Sequence, residues 1–87
     1  VIKEGHVKIK ILKDLKSGES GKITRIDGGH GMVSRLAALD IRPGSIVKKL
    51  SAGVMGGPVT VEVNRIQIAI GFGMAKRILV AVEDSAS

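Results

Sequence analysis

The sequence predicts a small, mainly β domain with antiparallel strands, and three observations carry that expectation. Apolar residues alternate with polar ones at period two, as in Val7, Ile9, Ile11 and again in Val59, Val61, Val63. Gly and Pro clusters punctuate these runs, with 12 Gly in 87 residues. The intervals between runs are too short for parallel crossovers, which need about a dozen residues or more.

Taken in order, Val7, Ile9 and Ile11 alternate with Lys8 and Lys10, the pattern of a half-buried strand. Asp14-Leu15 and Ser17-Gly18 read as turns, and 22–26 (Lys-Ile-Thr-Arg-Ile) as the next strand. Asp27-Gly28-Gly29-His30-Gly31 has three glycines in five residues and reads as a loop. The period then changes. Met32, Leu36 and Leu39 stand at i, i+4 and i+7, one face of a helix expected over about 32–40, with Arg35 off that face. Pro43 lacks a backbone donor and disfavours helix at Arg42, so the helix must stop by there, and Pro43-Gly44 fits a tight turn.

Residues 45–50 read as a strand and 51–58 as a glycine-rich loop. Asn64-Arg65 separates the Val59–Val63 run from Ile66, Ile68 and Ile70; Asn tolerates positive φ, so this is the strongest hairpin signal in the chain. Gly71-Phe72-Gly73 ends that strand, and a helical turn near 74–77 leads into Ile78, Val80 and Val82. Residues 83–87 read as a frayed tail. The sum is five or six short strands that curl shut, a small SH3-like antiparallel barrel with one short helix inserted between its early strands. One domain is expected over 1–87, with its core in about 7–82.

Composition narrows the chemistry. There is no Cys, so disulfides, thiolate metal sites and a Cys nucleophile are excluded, which is compatible with a reducing cytoplasm. The longest uncharged run is 12 residues, 50–61, and is broken by Gly and Pro; a membrane helix needs about 20, so no direct membrane insertion is expected. The first residues lack a signal-peptide layout, and Val1 in place of Met is expected to reflect processing or trimming. The net charge is +6, with seven basic against three acidic groups in residues 1–25. Such a surplus suits an acidic protein face, a phosphate backbone or an anionic surface, and equally an ordinary solvated lysine coat.

The ordered set Leu15-x-x-Gly18, Arg35-Leu36, Leu39-Asp40-Ile41, Pro43-Gly44, Gly56-Gly57-Pro58 and Ala75-x-x-Ile78-x-Val80 resembles the ferrous iron transport protein A family, FeoA, over roughly residues 7–82. Asp40 departs from that pattern, standing where the family usually has Gly; Asp enters the left-handed region at modest cost, so the fold is expected to survive. Gly71-Phe72-Gly73 stands where charged residues are more usual. The resemblance implies a non-catalytic, cytoplasmic SH3-like domain that assists a FeoB-type membrane ferrous iron transporter with a cytosolic GTPase domain. It also implies kinship with the C-terminal domains of iron-dependent repressors.

The residues themselves offer little to catalysis. The two His, His6 and His30, have no Cys partner, and Ser17, Ser20 and Ser34 have no evident base. Gly71-x-Gly73 lacks the third glycine of a dinucleotide loop, and Gly18 to Lys22 is too short for a Walker A motif. Asp27 and His30 share a loop and suit Fe(II) or another divalent cation, yet two donors make no site, so no cofactor and no metal ligands are assigned. A metal-responsive regulatory module is the alternative reading. A basic RNA-binding barrel is a second one, but Phe72 is the only aromatic and cannot build a stacking platform, so no nucleic acid is expected. The same lack rules against a proline-rich peptide groove.

A protein partner remains. Val54 and Met55 sit in a glycine-rich loop with little local core to join, or fold back over a barrel end; Arg35, Ala38, Asp40 and Arg42 are expected on the outer surface of the helix and its turn. These six residues are the candidate partner-binding surface, for the transporter's cytosolic domain or for another copy of the chain.

Overall fold

The computed structural model describes residues 7–52 and 56–83. Six strands form: β1 (Val7–Ile11), β2 (Ser20–Ile26), β3 (Ile46–Ala52), β4 (Val59–Val63), β5 (Ile66–Ile70) and β6 (Ile78–Glu83). Helix α1 (His30–Ala37) is inserted between β2 and β3, α2 (Phe72–Ala75) between β5 and β6, and a 3-10 turn, Leu12–Asp14, follows β1. All strand pairs are antiparallel, in one sheet of order β1-β6-β2-β3-β4-β5. This is the mainly β, SH3-like class that the sequence predicts, at the upper strand count. The sheet curls around a single aliphatic core that joins Val59, Val61 and Ile70 of β4 and β5 to Ile78, Val80 and Val82 of β6. The outermost strands β1 and β5 share no ladder among the described residues.

Two irregularities bend the sheet, in β2 between Ile23 and Arg25 and in β3 between Lys49 and Ser51. Gly21 lets β2 pass close to β6. A Cβ there would collide with the Ala81 carbonyl oxygen and lie 2.7 and 2.8 Å from the Cγ1 methyls of Val80 and Val82. Asn64 and Arg65 turn β4 into β5 with φ of 53° and 67°, the two positive values that a type I′ hairpin requires.

Helix α1 starts at His30, inside the glycine-rich segment expected to be loop, because Gly29 already serves as its N-cap and its carbonyl accepts from Val33 N at 3.0 Å. It closes at Ala37, with the expected turn beyond it. Helix α2 likewise begins two residues before the expected 74, capped by Gly71, whose carbonyl accepts from Ala75 N at 2.9 Å. Strand β3 runs through its bulge to Ala52, into the expected loop.

The face of β1 is the larger surprise. Its strand forms where the alternation places it, yet the apolar set points outward, with Val7 60% and Ile9 55% exposed. Register explains this. Lys10 stands opposite Val80 and Lys8 opposite Val82, two residues whose side chains face the core. Alternation of period two defines two faces, and pairing decides which one is inside.

Candidate functional site

The end of α1 is a rigid, exposed corner. Ile41 N–H bonds the Leu36 carbonyl and Asp40 N–H bonds the Ala37 carbonyl, both at 2.9 Å. This is the Schellman pattern, with Asp40 in the left-handed position at φ 64°. Its hydrophobic contact is supplied by Leu36 and Ile41, 2% and 0% exposed and both in the core. The Asp40 side chain adds further ties. One carboxylate oxygen lies 3.3 Å from Arg42 Nη2, and the other accepts from Asn64 Nδ2 at 3.2 Å. The Asp40 carbonyl accepts from Ser45 Oγ at 2.6 Å. The corner is thereby fixed to the start of β3 and to the β4–β5 hairpin.

Arg35, Ala38, Asp40 and Arg42 are all exposed, and the structure brings them together on this corner. Among the described residues Arg35 has no ion pair. Leu39, expected on the buried helix face, is 48% exposed, because the helix ends at Ala37 and the turn rotates it outward. It adds an apolar side chain to the corner that helical periodicity hid. Val54 and Met55 lie outside the described residues.

Other candidate groups are dispersed. Asp27 pairs with Arg25 Nε at 2.5 Å, while His30 is exposed at the first turn of α1. Among the described residues no group of three or more His, Asp or Glu side chains is placed to hold a metal ion, and His6 lies outside them. Phe72 is 38% exposed with Lys13 and Lys76 nitrogens each 5.9 Å from its ring centroid, a cation–π arrangement. Among the described residues no helix is long and apolar enough to cross a membrane.

Two buried or part-buried polar side chains hold the other end of the barrel. Lys49, on the inner face of β3 opposite Val61, is 3% exposed. Burial pushes its ammonium pKa down. The Glu19 carboxylate accepts from Lys16 N–H at 2.9 Å and from Lys10 Nζ at 3.0 Å, and those bonds hold its pKa below the usual carboxylate range, the Lys16 bond most. Lys49 was not marked by local sequence pattern, since its partners lie 34 and 36 positions away, whereas the partners of Glu19 lie three and nine positions away.

Comparison with known proteins places the chain. The FeoA domain family matches residues 10–82. A Methanocaldococcus jannaschii relative assigned as an Fe(2+) transport protein A is 37% identical over 65 residues, covering 75% of this chain and 77% of the relative. The crystal structure of an iron uptake regulatory protein, FeoA, superimposes with a TM-score of 0.78 at 30% identity, covering 84% of this chain and 96% of that one. T. acidophilum IdeR shares the fold with a TM-score of 0.75 at 26% identity; the match covers 86% of this chain but only 34% of that one. With its whole described core inside the matched span, this chain belongs to the FeoA domain family.

Proposed function

We propose that this chain is a non-catalytic, cytoplasmic adaptor or regulator of ferrous iron uptake, acting by contact with the cytosolic GTPase domain of a FeoB-type membrane transporter. The observation that carries this reading is the FeoA family match across residues 10–82, supported by a relative assigned to Fe(2+) transport. The exposed, rigid corner of Arg35, Ala38, Leu39, Asp40 and Arg42 supplies a surface suited to recognition, and Val54 and Met55, outside the described residues, are the second proposed contact. Binding of this kind acts on a GTPase cycle only through differential affinity for its states.

The test is association of the purified domain with the transporter's cytosolic domain, with Arg35→Glu and Met55→Asp as variants. Both are expected to weaken association while Arg35→Glu leaves the thermal midpoint nearly unchanged, since Arg35 is exposed. Undiminished binding by both variants would place the contact elsewhere.

A further inference from the structure

We propose that the outer face of β2 and β3, with the groove beside it, docks an acidic, amphipathic segment of a partner protein. The proposal goes beyond the adaptor reading, because it concerns a different surface and holds whether or not the partner is the transporter.

Register assembles the surface. Ile9, Ala81, Lys22 and Ile46 stand opposite one another in a single row across β1, β6, β2 and β3. Side chains so paired share one face and approach within about 5 Å. This row points away from the core, with Ile9 55% and Ile46 60% exposed. Single exposed apolar residues are ordinary, but this row sets exposed Ile46 directly beside the Lys22 cation, with Ala81 and Ile9 beyond it, so apolar and basic side chains alternate on one face. At its β3 end the row meets a groove of about 340 Å³ lined by Ser20, Ile46, Lys48, Glu62, Asn64 and Arg65. Asn64 also holds Asp40, so the groove adjoins the α1 corner.

Charge selects the occupant. Lys22, Lys48 and Arg65 are exposed and have no carboxylate within salt-bridge distance among the described residues. Glu62 is the one acid of the groove, and it leaves the cations in excess. A second copy carries the same net charge of +6 and the same exposed cations on this face, and like charges repel. A single-stranded nucleic acid needs aromatic platforms, and the sole aromatic, Phe72, is on α2. Carboxylates over Lys22, Lys48 and Arg65, with apolar side chains on Ile46, satisfy both features.

The experiment titrates a short labelled peptide of alternating Glu and Leu into the domain, followed by amide shifts and fluorescence anisotropy. Its controls are the Lys counterpart, a polyglutamate, a single-stranded RNA and anionic vesicles. Two variants are compared, Ile46→Thr, which keeps β-branching, and Lys48→Glu with Arg65→Glu; thermal melts confirm that each folds. The acidic amphipathic peptide is expected to shift Ser20, Ile46 and Lys48 and to lose about tenfold in affinity in the charge-reversed variant. Failure to bind, equal binding by the variants, or tighter binding of polyglutamate, RNA or vesicles overturns the proposal. So does self-association of the domain that the same variants abolish. Loss of transporter binding in Arg35→Glu with peptide binding intact separates this surface from the α1 corner.

Discussion

The Nζ of Lys49 donates a hydrogen bond to the carbonyl oxygen of Leu15 at 2.6 Å, across 34 positions of sequence, and a second to that of Lys13 at 2.6 Å. One buried cation thus fastens the 3-10 turn after β1 to the middle of β3. Two backbone acceptors that could not pair within the turn itself are satisfied this way.

Lys49→Met keeps the stem's volume but leaves both carbonyls without a donor. Orphaned buried acceptors cost about 1–3 kcal/mol each way they are counted, and relief of the buried charge offsets part of that. Chemical denaturation at neutral pH is expected to show a net loss of about 1–2 kcal/mol. The pH dependence separates the two contributions. Burial lowers the folded-state pKa of Lys49 below its ordinary 10.5, so the unfolded chain binds the proton more tightly. The buried charge therefore costs stability at neutral pH, and that cost is relieved as pH rises from the folded pKa toward 10.5. The wild type should gain on Lys49→Met across that alkaline window; a constant difference would show that Lys49 is not desolvated.

Glu19 gives a slope of the same sign at acid pH, stability rising with pH, but as a stabilising contribution rather than a relieved cost. Its folded pKa is depressed by the bonds from Lys16 and Lys10 relative to the ordinary 4.5. Its contribution is complete above about 4.5 and is lost as pH falls through the lower folded value. Glu19→Gln is expected to cost about 0.5–1 kcal/mol at neutral pH and to flatten this acid limb, measured by urea melts at a series of pH values.

Gly21 is expected to tolerate no side chain. The added methyl of Gly21→Ala meets the Ala81 carbonyl oxygen and two valine methyls, and backbone cannot rotate aside as a side chain can. Overpacking of this kind costs about 1–3 kcal/mol or more. A thermal midpoint unchanged by the substitution would mean that β2 and β6 are further apart than described.

Arg65 occupies a position where Gly belongs. At φ 67° its side chain is strained, whereas Asn64 at φ 53° is a residue type suited to that region. Arg65→Gly is expected to leave stability within about 1 kcal/mol of the wild type, since relief of strain opposes the added freedom of the unfolded chain. Arg65→Ile, β-branched at the same φ, should lose about 1–2 kcal/mol. Paired melts of the two variants check this, and equal stability would remove the positive-φ account of the turn.

Much of this architecture was legible because the signals were local. The Asn64-Arg65 turn and the Pro43-Gly44 turn each depend on the torsional preferences of one or two residues. The exposed corner after α1 was legible in part. Arg35, Ala38, Asp40 and Arg42 are exposed as expected, while Leu39 joined them because the helix ended sooner than its apolar period suggested.

The sequence by itself determined the aliphatic β class, the placement of the hairpin and the ordered family pattern, the hairpin through the torsional preferences of neighbouring residues. Only the tertiary structure decided that Val7 and Ile9 face outward while Lys49 is buried. Alternation is symmetric between the two sides of a strand, so a partner strand must break the tie. For β1 that partner is β6, far along the chain, and for Lys49 it is a pair of carbonyls at Lys13 and Leu15.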